Sequence, residues 1–301
     1  MGEKDISEKI LIDYNDVFAD ILNVCAFEGR ELIAETELVN TSVHSQYKAE
    51  DDKLHEEERD TAKYWKRQKA AIALYGIENQ SDVDYKMPFR IIGYDGAAYR
   101  SQLLDKAKKI VPVASFVLYF GTEKRWSKKK SIKKLMKVPK ELETYVNDYK
   151  VNVIEVAWLS DEQLKQFKSD FGIVANFFVQ KRKNKDYIPD DKREIKHVDA
   201  VLKLLSVMTR DNSYGAVLYE AKGKEKVKTM CDVADRLKKQ GREEGRQEGR
   251  QEGIQEGRRE VYMDLVESKL AKGKTTEQIM EELELAKEDV EELIQIVRDK
   301  K

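Results

Sequence analysis

Cysteine is scarce in this sequence. Of 301 residues only two are cysteines, Cys25 and Cys231. They are far apart and lack CxxC or histidine spacing, which excludes a disulfide framework and a cysteine-based zinc site and fits a reducing compartment. Histidine is nearly as rare, and His44, His55 and His197 belong to no recognisable motif. Long apolar runs are missing too. The longest, "IVPVASFVLYF", has 11 residues, too few to span a bilayer. The opening "MGEKDI" has no apolar segment of the secretory type, and Ile6 stands where a myristoylation pattern wants Ser or Thr. A soluble, cytoplasmic chain without a membrane partner is expected. Charge of one sign is absent as well: 56 basic residues balance 57 acidic ones. Any nucleic-acid surface must then be local.

What the chain has in quantity is charge, 38% of residues against 41% hydrophobic. That is high for one compact domain and points to an exposed helical extension. Apolar spacing predicts a helix over Ile6 to Ile33, on which Asp16 and Asp20 share a face. Residues 41–58 are polar and read as a surface helix or loop. Two strands follow. One starts near Asp60 ("RDTAKYWK") and the other is the apolar "AAIALYGIEN"; their short link makes a hairpin plausible. "IIGYDGAAYRSQLLDKAKKI" reads as a helix, and "VPVASFVLYFG" and "YKVNVIEVAWLS" as further strands. Ser160 is placed to cap the helix "DEQLKQFKSDF", and "IKHVDAVLKLLSVMT" is amphipathic. The order is that of a mixed α/β domain. The boundaries read from the sequence are a domain over 1–222, a linker over 223–260 and a small helical module over 261–301.

The linker carries glycine at 241, 245, 249, 253 and 257, with an arginine ridge and a glutamate ridge at the same four-residue period. Five glycines inside a helix cost about 4–5 kcal/mol relative to alanine. Either they let another backbone come close, with arginine and glutamate meeting across the contact, or the segment is a frayed spacer. Beyond it, Thr275 and Gln278 form a capping-box pattern. The last helix carries Glu288, Asp289, Glu291 and Glu292. These would face phosphate in a groove, so a packing or oligomerisation module fits better than a DNA-reading helix-turn-helix.

Chemistry concentrates in "YGIENQ". On a strand Glu78 and Gln80 point the same way. A hairpin closed near residues 66–69 brings Asp60 close to Glu78, given a bulge or a modest stagger. Two carboxylates there suit Mg²⁺, which takes one or two carboxylates plus waters and phosphate oxygens. The same pattern also occurs at any solvated strand end. Lys63 should point to the opposite face. The lysine-rich stretch "KRWSKKKSIKKLMK", with Lys128, Lys129 and Lys130, suits phosphate contact or a solvated face. Arg90, Tyr94, Tyr99 and Arg100 suit DNA backbone contact or ordinary packing.

The combination "RDTAKYWK…ALYGIENQ…DYKMPFRIIGYDGAAYRSQL…VPVASFVLYFG", continued by "VNDYKVNVIEVAWLSDEQ", "SDFGIVANFFVQ" and the glycine-punctuated tail, resembles the Rpn family of recombination-promoting nucleases, the PD-(D/E)XK nuclease family transposases. The resemblance implies a restriction-endonuclease-like α/β fold, a mixed sheet flanked by helices, with an extended helical tail. It maps metal-binding Asp60 and Glu78, and sets Gln80 in the motif's lysine position. It matches an arginine and a tyrosine four apart to Arg90 and Tyr94, and it allows an acid of the first helix, Asp16 or Asp20, to assist. The implied activity is Mg²⁺-dependent (or Mn²⁺-dependent) DNA endonuclease chemistry linked to recombination or mobile elements, with DNA as partner; the residues of the tail allow, beside this, a homo-oligomer through the C-terminal helices. The alternative is a weak or inactive relative that binds DNA or assembles.

Overall fold

The computed structural model describes residues 11–41, 44–48, 54–58, 60–67, 70–104, 109–126, 130–221 and 227–299. The chain forms two compact units, Met1–Leu237 and Lys238–Lys301.

The first unit is built on a five-stranded mixed sheet. Its strands are β1 (Leu38–Asn40), β4 (Thr61–Arg67), β5 (Ala70–Gln80), β6 (Val113–Tyr119) and β7 (Asn152–Glu155), and they lie side by side in that order. β1, β4 and β5 are antiparallel, whereas β5, β6 and β7 run parallel. A parallel neighbour needs a long crossover, and helix α2 (Met87–Leu104) lies in the one between β5 and β6. β5 is therefore the hinge of the topology, with an antiparallel partner on one side and a parallel one on the other.

Alternation along β5 divides the core in two. Tyr75 and Ile77 face a large cluster with α1 (Asn15–Ile21), α4 (Phe171–Lys183), α5 (Val198–Thr209) and α6 (Ser213–Ala221). The opposite face is covered by α2, where Met87, Ile91 and Tyr94 pack on Val117, Tyr119, Trp126 and Val151. This is the restriction-endonuclease-like α/β arrangement, a mixed sheet flanked by helices. Ser160 caps the short helix α3 (Asp161–Gln166) as expected, accepting from the Gln163 N–H in a capping box.

Three expectations change. The first helix does not reach Ile33. It ends in a π-turn at Leu22–Ala26, and Glu28 and Gly29 take positive φ of 56° and 81°. That reverses the chain, and Ile33 reaches the core from a loop. Residues 41–58 are not a surface helix or loop alone; β2 (His44–Lys48) and β3 (Leu54–Glu58) pair as an antiparallel hairpin. Helix α4 was not anticipated, because "FGIVANFFV" is apolar all round and has no periodic stripe. Such a helix is buried on most sides.

The second unit begins within α7, an uninterrupted helix over Met230–Ala271. Its distal part packs with α8 (Thr276–Leu283) and α9 (Lys287–Asp299) around Val266, Ile279, Val290, Leu293, Ile294 and Val297. The capping box of Thr275 and Gln278 is formed. Among the described residues no helix is long and apolar enough to cross a membrane.

Candidate active site

The β4–β5 hairpin decides what meets what. Arg67 pairs with Ala70 across the turn, and Thr61 pairs with Ile77 at the open end. Between them the register slips by one residue at Trp65/Lys66. A bulge inserts one unpaired residue and flips everything beyond it to the other face. With it, Asp60 falls opposite Glu78.

The contact is reciprocal. The Asp60 backbone N–H donates to Glu78 Oε1 at 3.2 Å. Asp60 Oδ2 accepts from the Asn79 backbone N–H at 2.7 Å and from Asn79 Nδ2 at 3.3 Å. Asn79 thus fixes one oxygen of Asp60 with two donors. This role had no sequence signal, since it depends on the strand pairing.

Glu78 is 1% exposed. A carboxylate that deep needs a cation or several donors. Arg90, in the first turns of α2, supplies the cation: its Nη2 lies 3.3 Å from Glu78 Oε2. The same guanidinium reaches Asp84 Oδ2 at 3.5 Å and donates to Tyr94 Oη at 3.1 Å. Burial alone would depress the Arg90 pKa, but Tyr94, Glu78 and Asp84 outweigh it and raise it. Arg90 and Tyr94 share a helix face at i,i+4, so their spacing in "MPFRIIGY" is what lets both reach one point. Asp84 was missed. It accepts from the Lys86 N–H at 2.8 Å, and an acid shortly before Pro88 in the first turn of a helix was its signal.

Gln80 ends β5, half-buried and two residues beyond Glu78 on the same side, beside Tyr119 of β6. Its backbone carbonyl accepts from the Phe120 N–H at 2.9 Å. Lys63 takes the opposite face, as the alternation requires. It is fully buried; its ammonium donates to the Asp13 carbonyl at 2.8 Å and to Asn40 Oδ1. Burial lowers its pKa, with partial relief from Asp13.

The structure does not bring the other residues to this point. Asp16 binds Lys196 Nζ at 2.7 Å and His197 Nε2 at 3.3 Å. Asp20 accepts from the Lys168 and Ser169 backbone N–H groups. Both acids sit on α1, which packs on the other face of the sheet. The acid of that region that reaches the start of β4 is Asp13, accepting from Thr61 Oγ1 at 3.0 Å. Tyr99 accepts the Val113 N–H at 3.0 Å, a structural role at the head of β6. Lys128 and Lys129 lie outside the described residues. Lys130 is half-buried, and its carbonyl accepts from the Val151 N–H at 2.9 Å.

With this geometry in hand, one comparison is decisive. A family model described as "Putative transposase, YhgA-like" matches residues 51–210, more than half of the chain. The chain belongs to the YhgA-like transposase family. The match spans the Asp60–Glu78 hairpin, α2 and the parallel strands, so the candidate site lies wholly within the YhgA-like region. No curated protein and no solved structure matches the chain.

A divalent cation fits the donors present in part. Asp60 and Glu78 are carboxylates of the kind that Mg²⁺ takes together with water and phosphate, but Glu78 Oε1, Glu78 Oε2 and Asp60 Oδ2 already engage the Asp60 N–H, Arg90 and Asn79. Asn79 Oδ1 is buried without a hydrogen-bond partner, a further oxygen on the residue that holds Asp60. Among the described residues no group of three or more acidic, histidine or cysteine side chains gathers as a metal cage.

Proposed function

We propose that this YhgA-like chain is a metal-dependent DNA endonuclease that hydrolyses phosphodiester bonds. The observation that carries the reading is the meeting of Asp60 and the buried Glu78 at the open end of one hairpin, with Arg90 against Glu78. Asp60 and Glu78 would hold the cation, Mg²⁺ or Mn²⁺, which polarises the phosphoryl group and lowers the pKa of its water. Asn79 keeps Asp60 in place. Gln80 would hydrogen-bond the attacking water or a phosphate oxygen. It brings no positive charge, so among the described residues Arg90, held against Glu78, is the cation placed to meet charge developing on the phosphate. Tyr94 fixes the guanidinium. Lys128, Lys129 and Lys130 would add phosphate contacts whose strength falls with salt.

A second reading, DNA binding without cleavage, is favoured by one feature: Gln80 stands where the nuclease motif has lysine. A plasmid-nicking assay separates the two. Nicking with Mg²⁺ or Mn²⁺ should vanish with EDTA and in Asp60→Ala and Glu78→Ala. Cleavage that survives both substitutions would refute the site; retarded DNA without cleavage would establish the second reading.

A further inference from the structure

Helix α2 is apolar on both its inner and its outer side. Met87, Ile91 and Tyr94 are buried against the sheet. On the outer side Phe89, Ile92, Tyr99, Leu103 and Leu104 are 44%, 42%, 38%, 62% and 76% exposed. A helix that is apolar all round is normally a buried one, so among the described residues the outer face of α2 has no cover. Phe89, Ile92, Gly96, Tyr99 and Leu103 recur at steps of three, four, three and four, the spacing of a helix–helix seam. Gly96 is the middle of this stripe, and a Cβ added there would meet nothing within 4 Å. At about 200 Å² for a large apolar side chain, the five exposed ones offer on the order of 500 Å². That is near the upper end of what a monomer leaves in one patch.

The same features say what fits. Arg100 is the one ionised exposed side chain on this face over 89–104. That is too little charge for a DNA backbone, which takes a row of cations. A second copy of the chain suits it better. Two such patches together bury on the order of 1,000 Å², the size at which a specific interface begins. Let two α2 helices cross antiparallel at Gly96, related by a two-fold axis perpendicular to them. Opposed helix dipoles favour this direction, because each positive N-terminus then lies beside a negative C-terminus. Residues at equal steps on either side of Gly96 meet. Phe89 falls on Leu103 of the second copy, and Tyr99 falls against its Ile92. Arg100 lies over the exposed Gly93 of the second copy, which has no side chain to obstruct it. At 100° per residue Arg90 stands at one edge of the stripe. The two-fold axis keeps both Arg90 edges on one side of the pair, about 18 Å apart along the helices.

We infer that the outer face of α2 is where two copies of the nuclease-like unit meet, crossing antiparallel at Gly96 and presenting both Arg90–Glu78 sites to one side. The face does not depend on the nuclease reading. Its consequence, cleavage of both strands of one duplex, rests on that reading.

Disulfide trapping in the full chain tests the face. In a Cys25→Ser/Cys231→Ser background, Phe89→Cys/Leu103→Cys should oxidise to a covalent dimer, and either single variant should not. Within one helix the two positions are about 21 Å apart, beyond the reach of a disulfide, so the bond must join two copies. Adding Ile92→Glu should lower the yield at least about tenfold, since a charge would be buried in the seam. Gly96→Trp, which fills the crossing point, should do the same. Both positions are exposed, so neither change should move the urea midpoint. A double variant that stays monomeric, the result expected if another segment or another protein covers the face, would overturn the proposal. So would disulfides in Phe89→Cys alone, the mark of parallel pairing, or a yield that survives Ile92→Glu. The consequence is read on supercoiled plasmid with Mg²⁺. Wild type should give linear product directly, and Ile92→Glu should accumulate nicked circles. Nicked circles from a wild type that pairs through α2 would refute two-strand cleavage. Trapping in a chain that cuts nothing would keep the face and refute only the nuclease reading.

Discussion

The Arg90–Glu78 pair is the sharpest point at which to test the site, because its strength follows from burial. Glu78 is 1% exposed and Arg90 is 38% exposed at 3.3 Å. Breaking a fully buried pair costs about 3–5 kcal/mol, and an exposed pair contributes at most about 1 kcal/mol. One partner here is dry and the other half wet, so a coupling of about 2 kcal/mol is expected. The cycle uses Glu78→Gln, Arg90→Met and the double variant. Arg90→Met alone should cost about 3 kcal/mol, since Tyr94 and Asp84 lose the guanidinium too. Glu78→Gln should cost about 2 kcal/mol, and the double variant less than their sum. Urea unfolding followed by tryptophan fluorescence reads this cleanly. Trp65, Trp126 and Trp158 all lie in the Met1–Leu237 unit, so the helical unit is silent. A coupling below about 0.5 kcal/mol, the size of an ordinary surface pair, would show that Arg90 does not hold Glu78. The geometry assigned to the site would then be wrong.

Two more outcomes follow from a buried and a half-buried carboxylate. Asp95 is 3% exposed and accepts from Ser115 Oγ at 2.5 Å and from Tyr149 Oη. Asp95→Ala leaves those donors short of an acceptor and should lower unfolding stability by about 2–4 kcal/mol in the same fluorescence titration; a loss under about 1 kcal/mol would contradict the buried network. Asp16 loses some solvation on burial, but Lys196 and His197 outweigh this and hold its carboxyl below the ordinary 3.8. A carboxyl lowered in the folded state adds stability above its unfolded pKa, and this fades as pH falls through the folded one. Asp16→Asn should therefore be less stable than wild type at neutral pH, by up to about 1 kcal/mol, and the gap should close below the folded pKa of Asp16. A gap unchanged at low pH would mean that the ion pair is not its source.

Much of the site was legible in the residues themselves, for identifiable reasons. Alternation placed Glu78 and Gln80 on one side and Lys63 on the other, because a strand's period of two is a property of the backbone. Counting residues to the turn called for a bulge or a modest stagger between Asp60 and Glu78, and the strand pairing decided for the bulge. The i,i+4 spacing of Arg90 and Tyr94, the Ser160 and Thr275 caps and the charged ridges of the tail are likewise local rules, and the sequence by itself determined them. Tertiary structure alone decided the rest. Asn79 grips Asp60 and Asp84 grips Arg90 because β4, β5 and the head of α2 converge, which no local pattern encodes. Asp16 and Asp20 looked equivalent to any other first-helix acid until the packing of α1 turned them toward Lys196, His197 and the start of α4. The apolar stretch that became α4 had no stripe to read, since a helix buried all round has no face for water to mark.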